Sequence, residues 1–198
     1  INYTVKENNI PDTYTSVITG SATEGYTITN THEVDKTEIT VTKSWVDANN
    51  QDGIRPESVS VTLYADEVAT DKTVTLSEAN KWTVTFTGLD VNADGEKISY
   101  TVQENDVPDT YTSVVTGDMR EGYTITNTHI PYTMDIPVTK VWNDADNQDG
   151  KRPTSIEVIL SANGTPVDSI ELNENNDWTH TFTGLAVNNA GEKITYSV

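Results

Sequence analysis

The chain has 198 residues, with 12 Lys or Arg against 31 Asp or Glu, and its formal net charge is −19. So negative a surface would repel the phosphates of nucleic acids, and no run approaches the roughly 18 apolar residues that a membrane-spanning helix needs. The absence of cysteine excludes disulfides, thiolate metal sites and a cysteine nucleophile.

Internal repetition is the strongest feature of the chain. Val41–Trp45 recurs 97 residues later as Val138–Trp142, and Tyr26–His32 recurs at the same spacing as Tyr123–His129. We therefore expect a piece of a longer tandem array, or a permuted chain. Aligning the matches predicts the last third of a repeat, a whole repeat and the first two thirds of another: residues 1–33, 37–129 and 135–198.

The local patterns along each repeat are those of β-strands. In the central unit, apolar and polar residues alternate in short runs that begin, in chain order, at Ile39, Val59, Trp82, Ile98 and Tyr123. Turn dipeptides such as Asp52-Gly53 and Asp94-Gly95 separate these runs, and no window keeps a helical period. About seven short strands in a unit of this length predict an antiparallel β-sandwich with Greek-key connections.

The segments that join the units are short. They run from Glu33 to Glu38 and from Ile130 to Pro137. Short connections leave little freedom between neighbouring domains, so adjacent repeats are expected to form a rod.

Three polar residues of the central unit lie at positions where the alternation of their strands would place an apolar, inward-facing residue. Lys43, Glu104 and Asn127 each have the same parity as the core residues around them, so all three should point inward. Proteins rarely bury Lys or Glu unless each finds a partner. The incomplete units contain the equivalent residues Glu7, Asn30 and Lys140.

Two interpretations of this inward-facing group are open. The first is a buried Lys43–Glu104 ion pair, with Asn127 filling the remaining hydrogen bonds. The second is a self-catalysed amide bond between Lys43 and Asn127. Burial would lower the pKa of the amine and raise the pKa of the carboxyl, and protonated Glu104 could polarise the Asn127 carbonyl while ammonia leaves.

Five ordered motifs cover nearly the whole chain: Val-x-Lys-x-Trp, Asn-Gln-Asp-Gly-x-Arg-Pro, Trp-Thr-x-Thr-Phe-x-Gly-Leu, Tyr-x-Val-x-Glu and Thr-Ile-Thr-Asn-Thr-His. Together they closely resemble the B-type repeat of Gram-positive collagen adhesins, the Cna B-type domain. The resemblance implies an all-β fold of tandem inverse immunoglobulin-like sandwiches, found in adhesin stalks and pilins. It also implies an internal Lys–Asn isopeptide bond assisted by an acidic residue.

Carried onto this chain, the resemblance makes Lys43 and Asn127 the bonded partners and Glu104 the assisting acid. In the incomplete units Lys140 and Asn30 are the corresponding partners, and Glu7 is the corresponding acid. Lys140 has no Glu and Asn following it in its unit, and Glu7 and Asn30 have no Lys before them.

Other residue groups favour structural roles. The segment 144–150 resembles a calcium loop, but Asp149 and Ser155 stand where an EF-hand needs Gly and Glu, so we expect a turn anchored by Arg152. The three histidines lack ligand spacing, and the four tryptophans lie on apolar parity, as core residues do. We expect no cofactor, no metal and no small-molecule substrate.

The sequence therefore predicts a non-enzymatic stalk repeat of a bacterial cell-surface adhesin or pilin, extracellular and anchored to the cell wall through a segment outside these residues. Its one reaction would be a single-turnover internal crosslink. The alternative is a ligand-binding adhesin module that recognises a host extracellular protein, although near-identical copies are typical of spacers. Expected partners are neighbouring repeats of the same protein, and the incomplete ends are expected to complete each other head to tail between chains.

Overall fold

The computed structural model describes all residues 1–198, and the chain is all-β apart from two single 3₁₀ turns, Glu78–Asn80 and Glu174–Asn176. The first unit contains β1 (Tyr14–Ser21) and β2 (Gly25–His32). The central unit contains β3 (Lys36–Val46), β4 (Ser58–Ala65), β5 (Val68–Ser77), β6 (Thr83–Asp90), β7 (Asn92–Ala93), β8 (Glu96–Lys97), β9 (Tyr100–Asn105), β10 (Thr112–Asp118) and β11 (Gly122–Thr128). The third unit contains β12 (Thr133–Thr139), β13 (Ser155–Ala162), β14 (Thr165–Asn173), β15 (Thr179–Ala186), β16 (Asn188–Asn189), β17 (Glu192–Lys193) and β18 (Tyr196–Ser197). No helix in the chain is long and apolar enough to cross a membrane.

The central unit is the predicted β-sandwich. One sheet has the order β10-β11-β3-β6 and the other has the order β5-β4-β9. Their inner faces bury one apolar cluster, because alternate residues of each strand point between the sheets. Its most enclosed members are Ile39, Val41, Val61, Leu63, Leu76 and Ile125.

One strand pairing differs from the antiparallel expectation. β3 and β11, the first and last strands of the central unit, pair in parallel, with Ile125 opposite Lys43 and Asn127 opposite Trp45. The intervening chain passes through both sheets and enters β11 at the end of the sheet where β3 begins, so the last strand runs in the direction of the first. The first and last strands of the repeat are therefore neighbours, while its two termini lie at opposite ends of the sheet.

Trp45 and Trp82 pack against the core of the central unit, but Trp82 lies in a turn and not within a strand. β6 begins at Thr83, and Lys81 and Trp82 adopt left-handed backbone conformations with φ of 53° and 57°. This turn places the Trp82 ring edge-on against Trp45, with 5.3 Å between ring centroids. Both rings are half-buried against the core cluster rather than enclosed in it.

The beginning of the chain forms no strand, although its copy in the central unit does. Residues 3–8 copy β9, yet they form no strand. In the central unit β9 pairs with β4, with Val61 opposite Glu104, and the first unit has no strand equivalent to β4. A strand needs a neighbour for its backbone hydrogen bonds, so the same sequence stays irregular here.

The third unit is a sandwich that is open on one side. Its sheets, β12-β15 and β14-β13-β18, bury Leu160, Leu172 and Phe182. Beside them lies an apolar groove of about 390 Å³, lined in part by Val138, Ile156, Val158 and Lys140. In the central unit the last strands cover this region, so the groove is the place those strands leave free.

Candidate functional site

The three inward-facing polar residues of the central unit meet in its core. Lys43 lies on β3 and Asn127 on the adjacent β11, while Glu104 lies on β9 in the facing sheet. Their exposed fractions are 4%, 0% and 6%. Period-two alternation thus brings an amine, a carboxamide and a carboxyl together away from water, as the parity predicts.

Glu104 lies between the other two groups. Its Oε1 accepts a hydrogen bond of 2.8 Å from Asn127 Nδ2, and its Oε2 accepts one of 2.8 Å from the Ser113 hydroxyl. Lys43 Nζ is 3.6 Å from Oε2, which is longer than a normal hydrogen bond. The carboxyl is therefore held by the carboxamide and the hydroxyl, and the amine approaches it without a short contact.

Lys43 is held as a poorly solvated amine. Its Nζ lies 3.4 Å from the carbonyl oxygens of Ser44 and Ile125, and 4.2 Å from the centroid of the Trp45 ring. Burial lowers the pKa of Lys43 to about 8, although the charge of Glu104 opposes the shift. At pH 7 about one molecule in ten then has the neutral, nucleophilic form, far more than for an ordinary lysine.

The Asn127 carboxamide is satisfied on one side only. Its Nδ2 donates to Glu104, but its Oδ1 is buried without any hydrogen-bond partner. An unpaired buried acceptor costs about 1–3 kcal/mol. The acceptor without a partner is thus the atom on which negative charge would develop if the carbonyl were attacked.

Ser113 belongs to this site, and parity reasoning missed it. It lies on β10 directly opposite Asn127 in the hairpin register. Only the register shows that its hydroxyl reaches Glu104. A signal did exist, because Ser16 stands at the equivalent position of the first unit.

The incomplete units contain complementary parts of the same arrangement, which the structure does not bring together. In the first unit, Glu7 accepts hydrogen bonds from Ser16 at 2.5 Å and from Asn30 at 2.7 Å, and these two bonds lower the pKa of Glu7. In the third unit, Lys140 Nζ lies 4.4 Å from the centroid of the Trp142 ring, as Lys43 lies over Trp45.

The Asn-Gln-Asp-Gly loops are anchored by arginine, as predicted. Arg55 binds Asp47 through two hydrogen bonds of 2.9 and 2.6 Å, and this ion pair lowers the pKa of Asp47 to about 2. Arg152 binds Asp144 in the same way at 3.0 and 2.7 Å. Nowhere in residues 1–198 do three or more His, Cys, Asp or Glu side chains form a group that could hold a metal ion.

Comparison with known proteins identifies the family of the chain. A family model described as the Cna protein B-type domain matches residues 1–31, 39–128 and 136–198. A collagen adhesin of Staphylococcus aureus is 43% identical over 198 residues, which are 100% of this chain and 16% of that protein. A crystal structure of two B repeat units of the collagen binding protein of Staphylococcus aureus matches with a TM-score of 0.78 and 42% identity, covering 94% of this chain and 49% of that one. The chain therefore belongs to the Cna protein B-type domain family.

Proposed function

We propose that this chain is a stalk segment of a bacterial surface adhesin or pilin, and that its central repeat is locked by an amide bond between Lys43 and Asn127. The observation that carries the proposal is the position of Glu104 between a desolvated amine and a carboxamide with a free carbonyl oxygen. The surface location follows from membership of the B-type family and from the similarity to a collagen adhesin. The role is mechanical, and the only chemistry is the crosslink.

The reaction balances without any cofactor. Neutral Lys43 Nζ attacks Asn127 Cγ, so a C–N bond forms, and the Cγ–Nδ2 bond breaks to release ammonia. In its protonated form, Glu104 donates to Asn127 Oδ1 during the attack. It then takes a proton from Nζ, gives one to the leaving Nδ2, and recovers the proton on Oδ1 as the carbonyl re-forms, so it ends protonated as it began.

The geometry argues against a plain buried ion pair. Such a pair is stable only if short hydrogen bonds between its charges repay their desolvation. Here the short bonds of Glu104 go to Asn127 and Ser113, while the amine stands at 3.6 Å. The unpaired Asn127 carbonyl would also have no purpose in an ion pair.

The bond would lie where a stalk carries load. β3 and β11 are the first and last strands of the repeat, and they are adjacent and parallel. A covalent link between them passes a pulling force from one end of the repeat to the other without loading the remaining strands. It also closes a loop between residues 43 and 127, which is worth about 4.5 kcal/mol in the chain-entropy model.

Intact-mass measurement of three proteins tests this proposal. The parent chain should weigh one ammonia less than its sequence, and Lys43→Ala should show the full mass of its own sequence. Lys140→Ala removes the equivalent lysine from the open third unit, so an isolated monomer of this variant should keep the same deficit as the parent. A parent chain of full mass would contradict the crosslink.

The open ends support a second part of the proposal, which concerns partners. Residues 1–32 contain copies of the strands that cover the core of the central unit, and the third unit has a groove free where those strands belong. We infer that the first unit of one chain fills the groove of another, bringing Glu7 and Asn30 to Lys140. Because this contact is head to tail, it propagates into a filament.

A denaturing gel of the 198-residue chain tests this part separately. Covalent ladders that vanish in Lys140→Ala but persist in Lys43→Ala are the expected result. A single monomer band at concentrations that favour association would contradict covalent complementation, and it would leave the Lys43–Asn127 bond unaffected.

A further inference from the structure

The Asn-Gln-Asp-Gly loop of the central unit reaches the third unit. Asp52 lies in this loop, and its side chain is fully buried. Its Oδ2 accepts hydrogen bonds from His129 Nε2 at 2.8 Å and from the backbone N–H of Tyr132 at 2.9 Å. Its Oδ1 accepts one from Asn188 Nδ2 at 3.0 Å. One carboxylate is thus bound by the end of its own repeat, by the connecting segment and by the next repeat.

His129 completes the carboxylate site from the side of the central unit. Its Nε2 faces Asp52, and its Nδ1 is 3.0 Å from the carbonyl oxygen of Thr110. The imidazole therefore lies between the buried carboxylate and the backbone of its own repeat.

The two repeats also touch through their backbones. The N–H of Gly191 donates to the carbonyl oxygen of Gln51 at 3.0 Å. A Cβ on Gly53 would lie 2.4 Å from the Gly191 Cα, so no side chain fits between these two turns. Gly53 has φ of 68°, a conformation that disfavours other residues. The contact is therefore a close fit between two turns rather than a loose surface encounter.

Aromatic rings connect this contact to the core of the central unit. The Tyr111 ring lies 5.2 Å from Trp45 and 5.5 Å from His129, and His129 lies 5.1 Å from Tyr132, measured between ring centroids. The Tyr111 hydroxyl donates to Asp47, the same carboxylate that anchors Arg55. The side of Asp52 that faces the central unit is thus held by packed aromatic rings, as a joint of fixed angle requires.

The receiving loop and the incoming turn of this joint each have a copy elsewhere in the chain. Gln148-Asp149-Gly150 repeats Gln51-Asp52-Gly53, and Asn92 and Gly95 repeat Asn188 and Gly191. In the copies, a Cβ on Gly150 or Gly95 would meet nothing within 4 Å. The central and third units thus each have a receiving loop at one end and an Asn-x-x-Gly turn at the other, and the Asp149 loop and the Asn92–Gly95 turn have open space at their glycines.

We propose that Asp52 is the centre of a docking site by which one B-type repeat binds the next at a fixed angle, and that the Asp149 loop is a second such site, shaped for the Asn92–Gly95 turn of another copy. The partner is another repeat of the same kind, since Asn188 and Gly191, which meet the Asp52 loop, have their counterparts in Asn92 and Gly95 of the central unit. The joint works without any covalent bond, so it does not depend on the Lys43–Asn127 crosslink. Its consequence is stiffness: the array bends only where such a joint opens.

Spin-label distance measurements test the joint. The chain has no cysteine, so Thr73→Cys on β5 and Val167→Cys on β14 label the central and third units uniquely. The parent and the matched control Asp149→Ala should give one narrow distance distribution. Asp52→Ala should broaden it more than about twofold, because the proposal assigns the fixed angle to the contacts of Asp52 and not to the short connection; an unchanged distribution would mean that the short connection alone sets the angle.

A second variant distinguishes an opened joint from a folding defect in Asp52→Ala. Asn188→Ala removes one donor from the third unit without touching either core, and it should broaden the distribution less than Asp52→Ala. Near-ultraviolet circular dichroism of the tryptophan pairs verifies that both units stay folded. If folded Asp52→Ala and Asn188→Ala chains give distributions as narrow as the Asp149→Ala control, the joint is not what fixes the angle and the proposal is wrong.

Discussion

The sharpest perturbation of the crosslinking site is Glu104→Gln. Glutamine keeps the shape of the side chain and can still contact Ser113 and Asn127, but it cannot exchange a proton. The variant should therefore fold without forming the amide, and it should show the full mass of its own sequence. Glu7→Gln is the matched control, since it makes the same change where no lysine is near, and it should leave the mass deficit of the central unit intact.

The loss of stability in Glu104→Gln follows from the loop that the bond closes. The loop between residues 43 and 127 is worth about 4.5 kcal/mol as a constraint on the unfolded chain. The variant also keeps Lys43 without its carboxylate, which adds about 1–3 kcal/mol for an unsatisfied buried group. For a domain of this size, each kcal/mol lowers the melting temperature by about 4–8 °C, so the midpoint should fall by more than 20 °C.

Calorimetry of the variant and its control, with intact mass on the same samples, measures both effects. Complete crosslinking in Glu104→Gln would refute the proton-transfer role of Glu104. A variant that lacks the bond yet melts within a few degrees of the parent would refute the assignment of stability to the covalent loop.

Three further predictions concern the surroundings of the site. Burial raises the pKa of Asp52, but hydrogen bonds from His129, Asn188 and the Tyr132 backbone outweigh this effect, so the net shift is downward. The joint should therefore stay closed from neutral pH down to about 4, where unfolded Asp titrates, and should open as the pH falls through the lowered pKa. Spin-label distances measured from pH 7 to 2 test this. Trp45→Ala should destabilise the central unit by about 2–4 kcal/mol in urea unfolding. This is the low end of the range for large aromatic residues, because the Trp45 ring is half-buried. A loss below about 1 kcal/mol would mean that the ring does not support the core. Arg55→Ala leaves the buried Asp47 without its main partner and should cost about 3 kcal/mol, whereas Arg152→Ala, whose partner Asp144 is more exposed, should cost less; equal losses in urea unfolding would contradict this account.

Period-two patterning was enough to predict the centre of the site. Lys43, Glu104 and Asn127 lie on regular strands, and on such strands the parity of a residue fixes the face on which it lies. Repetition predicted the division into units, because a copied sequence favours the same strands wherever their neighbours are also present. Neither signal required any knowledge of which strands are neighbours.

The features that sequence reasoning missed depend on contacts between segments that are distant along the chain. Ser113 reaches Glu104 only because of the β10–β11 register. The Asp52–His129 contact spans a separation of 77 residues and involves a loop, where parity has no meaning. The left-handed turn at Trp82 overrides an alternation that seemed to begin one residue earlier.

The loss of the β9-like strand at residues 3–8 has the same origin. Its sequence is a good copy of Tyr100–Asn105, but the copy has no β4 beside it. Strand propensity alone does not hold an extended segment in place, because the backbone hydrogen bonds of a strand belong to the pair.

The most direct measurement is fragment-ion mass spectrometry of the protease-digested parent chain. The account predicts one branched peptide in which a segment containing Lys43 is joined through its side chain to a segment containing Asn127, with the mass of both segments less one ammonia. Two separate, unmodified peptides containing Lys43 and Asn127, from a chain shown to be folded, would contradict it.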